Sequence, residues 1–571
     1  MQISELTFFV LSTVLFVPSV DAFSKSQCNA NVKARLLNSS LLADDDVFYR
    51  QSGRPMLDVN NIRLTLQGCE EQCSAGTSFY DDVGPRLSTW LIPILLLIGN
   101  MHMARLGNEK YAALLHFLGD PIDTTWSLLT KAETWSRCFS LAQRTIPQAP
   151  NEAHEHYNQR VIDVATIYAG IEELEGSGTD KFKDYFDRIL ADKRDDMTMD
   201  HFYHLCKEIA NELSDSRSVE IRRAGLAVFA YFYHVIAGFV DVIGGESSSP
   251  PGGRIGTSMF ISWLIPAVLL SNAIGGFTSR RTCLRIMERF VKTVTHNAVE
   301  DRQMFSQDKS SFFSTSKLKT TDFYTAQRWS GAIYCYRPRK ILFRGGNRDT
   351  SPLTLFILSI LPLLISSTTS ITLIWVTPTV GFDCRSLMLL AISVLWILSA
   401  AFTFLTWVTG LANGVYHYRL TLIKDALIGI PVLLIIILSS CGIFNSCFCW
   451  SAVFSLRRGA YVVLDDADER NFNASTWYPG LVAACLGLQM LILMIMLFVV
   501  RHGSALFRRD EIQKQNDWLE THVRRSHIRT FTFDERAVPS GWVKGVPVAT
   551  TGMASPRLSP SPRMIPRAPA V

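Results

Sequence analysis

The sequence predicts an all-α membrane protein: about seven transmembrane helices, an N-terminal signal peptide, an interior helical domain after helix 1 and a disordered C-terminal tail. Three observations carry that expectation. Residues 353–376, 387–411, 426–450 and 480–500 form four apolar runs in close succession. Each is as long as the roughly 18–20 residues that cross a hydrocarbon core. Of the 571 residues, 48% are hydrophobic and 19% charged, and the mean hydropathy is +0.16. That mixture fits membrane helices alternating with polar segments. Finally, two glycosylation sequons and clustered arginines give the spans a consistent direction.

Residues 1–22 read as a signal peptide. A short apolar run ends in Val20-Asp21-Ala22, with small residues at the cleavage positions. The n-region carries Glu5 and no basic residue, so an uncleaved anchor is the alternative. Residues 23–86 then form an exterior, loop-rich segment without a core of its own. It carries the acceptor Asn38 and three cysteines, Cys28, Cys69 and Cys73. An oxidising compartment favours one disulfide among these, leaving a cysteine for Cys384 in a later exterior loop.

Helix 1 is expected at 87–104. It contains Trp90-Leu91-Ile92-Pro93, and Trp263-Leu264-Ile265-Pro266 repeats the motif in the third span. Each proline removes a donor and frees the carbonyl four residues earlier, Thr89 or Ser262, so the pair reads as two kinked helices. Coincidence is the plainer alternative.

Residues 105–223 are polar and helical in pattern, and read as an interior helical domain with its own small core. Asp120 followed by Pro121 is an N-cap and a first-turn proline. Helices are expected at 122–146, 152–174, 181–192 and 199–213. His201 and His204 share a helix face, a spacing that could hold a metal, although a solvated or core-edge pair is the favoured reading. Ser214-Asp215 is read as the cap of helix 2.

Helices 2 and 3 fall within 224–277. His234 and Asp241 are intramembrane polar candidates, seven residues apart on one face. His234 is the one ionisable side chain this reading places well inside a span. The Gly/Ser/Pro-rich 244–256 lacks the Lys-Ser/Thr of a phosphate loop. Residues 278–352 form a basic linker with Arg337, Arg339, Lys340, Arg344 and Arg348. It suits anionic lipid beside a bilayer as well as simple positive-inside topology.

Residues 353–501 hold helices 4 to 7. Arg419 and Lys424 put the loop before 426–450 inside. Asn473 puts the loop 451–478 outside, and Cys441, Cys447 and Cys449 are then disulfide candidates, or palmitoylation candidates if interior. Residues 502–533 read as an interior juxtamembrane helix. Residues 534–571 are Pro-, Ser- and Arg-rich and have no core. Arg563, Pro566 and Pro569 fit a ligand for an interior proline-binding protein, and Ser555, Ser559 and Ser561 each precede proline.

The arrangement has an exterior N-terminus and a cytosolic C-terminus in a membrane of the secretory pathway, with the plasma membrane favoured. It shares that topology with G-protein-coupled receptors but not their motifs. Thr278-Ser279-Arg280 stands where Asp-Arg-Tyr would end helix 3. Gly84-Pro85-Arg86-Leu87-Ser88-Thr89-Trp90-Leu91-Ile92-Pro93 and Leu118-Gly119-Asp120-Pro121-Ile122-Asp123 resemble uncharacterised multi-pass membrane proteins of filamentous fungi. The likeness covers the first half and implies no activity.

No nucleophile–base pair, metal motif or cofactor loop is legible, so neither catalysis nor a cofactor is expected. No dense basic stretch interleaved with aromatics points to nucleic acid. The expected function is a non-catalytic sensor or scaffold that presents its interior domain and tail to partners. The alternative is a transporter or channel, for which facing acidic residues between spans are the missing sign.

Overall fold

A computed structural model describes residues 25–38, 47–51, 54–55, 62–73, 94–101, 109–148, 153–175, 186–187, 189–191, 193–218, 221–237, 239, 251–277, 280–294, 351–377, 382, 384–409, 415–441, 449–450, 461–464 and 467–499. The chain divides into two compact units, Met1–Asp510 and Glu511–Val571, and every described residue belongs to the first. The signal peptide, the Trp90–Pro93 motif, Asp241, the linker residues Arg337, Arg339, Lys340, Arg344 and Arg348 and the whole tail lie outside the described residues. So do Arg563, Pro566, Pro569, Ser555, Ser559 and Ser561.

The N-terminal segment comprises helix α1 (Lys25–Leu37), strands β1 (Arg50–Gln51), β2 (Arg54–Pro55) and β3 (Arg63–Thr65), and helix α2 (Leu66–Cys73). β3 pairs antiparallel with β6 (Tyr461–Val463) from far along the chain, setting Leu64 opposite Val462. Disulfides join Cys28 to Cys73 and Cys69 to Cys449. Val32, Phe48, Ile62, Leu64, Val462 and Leu464 pack around these sulfurs in a small core separate from the main one. The expectation of a coreless segment is corrected: 23–86 is too short for a core alone and completes one with Cys449, Val462 and Leu464. The expected use of Cys384 is corrected too, because Cys69 takes Cys449. Cys384 forms another disulfide. Asn38 is exposed just after α1, and Asn473 lies within a helix.

Next come α3 (Glu109–Gly119), α4 (Pro121–Thr145), α5 (His154–Glu175), α6 (Met199–Asp215), β4 (Arg217–Ser218) and α7 (Ile221–Ala237). Asp120 Oδ1 accepts from the Asp123 N–H at 2.9 Å, and Pro121 opens α4 where no N–H is needed. Thr198 caps α6 through the His201 N–H. Ser214 and Asp215 end α6 instead of capping the next helix; β4 follows, paired with β5 (Gly276–Phe277).

The expected separate core for 105–223 is corrected. α4 is buried all round from Pro121 to Ser136. It packs on α5 and also on α9 (Leu264–Ile274), α11 (Pro352–Val376) and α12 (Cys384–Val408). One continuous apolar core includes all of them. α4 is polar in composition, so its sequence reads as a soluble helix, yet its surroundings are the apolar helices.

The third span is interrupted. α8 (Pro251–Phe260), which starts inside the expected loop, stops before α9 begins. Pro266 therefore falls in the first turn of α9, where N–H groups have no helical partner in any case. The Ser262 carbonyl is not left free, as a kink in a continuous helix would leave it. It accepts from the Ile265 N–H at 3.0 Å. α10 (Arg280–Val294) follows and packs on α5 and α6.

Among the described residues, five helical stretches are long and apolar enough to cross a membrane: Ile255–Ile274, Pro352–Val376, Cys384–Val408, Leu420–Leu438 and Thr476–Val499. The last two belong to α13 (Val415–Cys441) and α14 (Ala467–Val499). Pro352–Val376 runs antiparallel to Thr476–Val499, and polar contacts join the spans. Ser393 Oγ donates to Ser367 Oγ at 2.9 Å, Gln489 Nε2 to the Pro362 carbonyl at 2.8 Å, and Thr377 Oγ1 lies 3.0 Å from Tyr478 OH. Their outer faces expose Leu398, Leu405, Leu427, Leu434, Leu491, Met494 and Phe498, surfaces suited to hydrocarbon. Two expected boundaries are corrected. α13 starts well before Ala426 and so includes Lys424, and α14 starts at Ala467, inside the expected exterior loop.

Candidate functional site

The site forms where the junction of α3 and α4 meets α12 and α13. Two glycines let the backbones approach. α3 lies antiparallel on α13, and a Cβ built on Gly119 would stand 2.8 Å from both Cα and O of Asp425. One on Gly429 would stand 3.0 Å from the Leu115 carbonyl oxygen. Small residues at such crossings are the usual means of close helix packing in membranes. The close approach brings short polar side chains within reach of one another.

Lys424 Nζ donates to Asp120 Oδ2 at 2.5 Å, Ser399 Oγ at 2.8 Å and Thr403 Oγ1 at 3.0 Å, and lies 3.2 Å from Asp425 Oδ1. Ser399 and Thr403 each donate to the same Asp120 Oδ2 at 3.0 Å. Asp120 thus uses one oxygen to start α4 and the other to hold the ammonium. Behind it, His116 stands between two carboxylates: Nδ1 is 2.7 Å from Asp425 Oδ2 and Nε2 is 3.3 Å from Asp123 Oδ2. The Trp396 indole N–H donates to the Leu118 carbonyl at 2.8 Å and pins the α3 C-terminus to α12. His116, Asp120, Asp123 and Asp425 are at most 1% exposed, while Lys424 is 10% exposed.

Three carboxylates therefore face one ammonium and one imidazole. Such groups are costly inside an apolar bundle and persist only when mutually paired. The network sits near one end of the bundle, one to three turns from the C-terminus of α12 and the start of the Leu420–Leu438 stretch.

A polar stripe leads away from it along α4. Asp120, Asp123, Thr124, Ser127, Thr130, Lys131 and Thr134 recur at helical spacing and are all buried. Thr124, Thr130 and Thr134 donate to carbonyls one turn back, which keeps their hydroxyls satisfied without water. Beside the stripe stands Trp126, whose ring centroid lies 5.0 Å from Phe356 and 4.9 Å from Trp407. Beyond Thr134 the helix enters the core it shares with α5. There, burial pushes the Tyr168 hydroxyl and the Cys206 thiol well above their ordinary ranges, so both stay protonated at neutral pH.

The candidates from sequence are placed elsewhere. His234 is half-buried on α7, its ring 5.8 Å from Tyr233. It is not the one ionisable group in the apolar bundle; Lys424 and Asp425 are deeper. His201 and His204 are exposed on α6, and among the described residues no group of His, Cys, Asp and Glu has metal-holding geometry. The facing acidic residues that sequence reading lacks are present as Asp120, Asp123 and Asp425, two of them on a helix assigned to the polar domain. Comparison with protein-family models, with curated proteins and with solved structures gives no match.

Proposed function

We propose that this protein is a non-catalytic membrane transducer. Proton or cation occupancy of the buried cluster sets the position of α4, and α4 passes that state to the helices packed on its other half. One observation supports this most: α4 is capped by the cluster's Asp120 at one end and shares a core with α5 at the other. A shift at the cap therefore has a rigid route to α5, α6 and α10. The reading keeps seven spans, an exterior N-terminus and a cytosolic C-terminus in the plasma membrane. The α5–α6–α10 helices and the tail would then face interior partners, and the basic linker anionic lipid. A second reading, a cation- or proton-coupled transporter, is favoured by the buried charges and by the interrupted α8–α9 span.

The test compares wild type with Asp425→Asn in lipid nanodiscs by hydrogen exchange. Asp425 pairs with His116 and Lys424, and its helix α13 packs chiefly on α3 and α12. The transducer reading expects altered protection in α5 and α6 and no solute or ion flux in proteoliposomes. Unchanged protection there, or a flux abolished by Asp425→Asn, would sink it and favour transport.

A further inference from the structure

The Lys424 ammonium occupies a cage made of oxygen. Its neighbours are the Asp120 carboxylate, the hydroxyls of Ser399 and Thr403 and the Asp425 carboxylate, at 2.5 to 3.2 Å. An ammonium has three protons to give, and here four oxygens from three elements converge on it. Carboxylates and hydroxyls are also the donor set of hard cations. The spacing is wider than the 2.0–2.1 Å of Mg²⁺ and, Asp120 aside, the 2.3–2.6 Å of Ca²⁺. It matches a large monovalent ion, since potassium and ammonium are close in size. The oxygen donors are almost fully buried, with Asp120 and Asp425 at 0%, Ser399 at 2% and Thr403 at 3% exposure. The Lys424 side chain that fills the cage is its most exposed member, at 10%, and the ammonium hangs on a flexible four-carbon stem.

We propose that this cage is a monovalent-cation site plugged by the protein's own Lys424, and that a potassium-sized ion enters when the side chain withdraws. The exchange swaps one unit positive charge for another, so the carboxylates stay compensated throughout. It also replaces the covalently anchored tie between Lys424 and the α4 cap with an ion shared between Asp120 and Asp425. The proposal deepens the transducer reading by naming its ligand class.

The test uses the full-length protein in nanodiscs and follows Tm in potassium, ammonium, sodium or choline chloride at equal ionic strength. Lys424→Ala is expected to gain Tm in potassium and ammonium over choline, with less gain in sodium. Asp120→Asn/Lys424→Ala, with one of the cage's two carboxylates neutralised, is expected to lose most of that selectivity. A Lys424→Ala protein with the same Tm in all four salts overturns the proposal. So does one that fails to accumulate in cells, where potassium is abundant and would refill the cage. A potassium-dependent Tm without any change of α5–α6 exchange leaves the cage standing and sinks the transducer alone.

Discussion

Asp120 joins local and long-range structure in one side chain. Its Oδ1 satisfies an orphan N–H of α4 and its Oδ2 receives Ser399, Thr403 and Lys424. Losing a cap costs about 1 kcal/mol, whereas leaving a buried charge without its partner costs about 3–5 kcal/mol. The two roles separate by substitution. Asp120→Asn keeps a good capping residue but removes the charge, so most of the loss in thermal stability should already appear there. Asp120→Ala should add only the smaller capping loss. Equal stability of wild type and Asp120→Asn in a detergent melting series would show that the ammonium does not depend on this carboxylate.

Between elements, the α3–α13 crossing depends on two positions without side chains. The Cβ of an alanine at 119 would meet backbone atoms of Asp425, which have no rotamer to escape into. The helices would have to separate, lengthening the His116–Asp425 and Lys424–Asp120 contacts together. Gly487 on α14 is the control, since a Cβ there meets nothing within 4 Å. Gly119→Ala is expected to lower the melting temperature and folded yield, and Gly487→Ala to leave both near wild type. Similar behaviour of the two variants would remove the close crossing from the account. The α8–α9 interruption follows the same logic of local satisfaction. Pro266 is tolerated because the break puts it where no donor is missing.

Across the whole molecule, the disulfide between Cys69 and Cys449 ties the first part of the chain to the loop before α14. Cleaving an engineered protease site between Glu300 and Ser330 should therefore leave two halves that migrate together without reductant and separate with it. Cys69→Ser should release them without reductant. Halves that separate freely in the wild type would show that this bond does not form in the cell. The second core, around Val32, Phe48, Leu64 and Val462, should then loosen. Its strands β3 and β6 are short, and a two-stranded pairing is marginal unless something else closes it.

The sequence alone determined the elements whose signal is local. Long apolar runs at 353–376, 387–411 and 480–500 are hydrophobic whatever surrounds them, so α11, α12 and most of α14 were legible. Asp120-Pro121 encodes its own cap, so the start of α4 was legible too. Which charges lie inside the bundle was decided by tertiary structure. Lys424 and Asp425 read as a polar loop ending because a charge next to an apolar run normally marks the water boundary. Their burial became possible only when α3 brought His116 and Asp120 against them across two glycines, and no local pattern encodes a partner some three hundred residues away. α4 was misplaced for the same reason. A polar helix is soluble by composition, and it becomes part of a membrane bundle only when its carboxylates meet an ammonium on another helix, since pairing offsets the desolvation that composition alone would forbid.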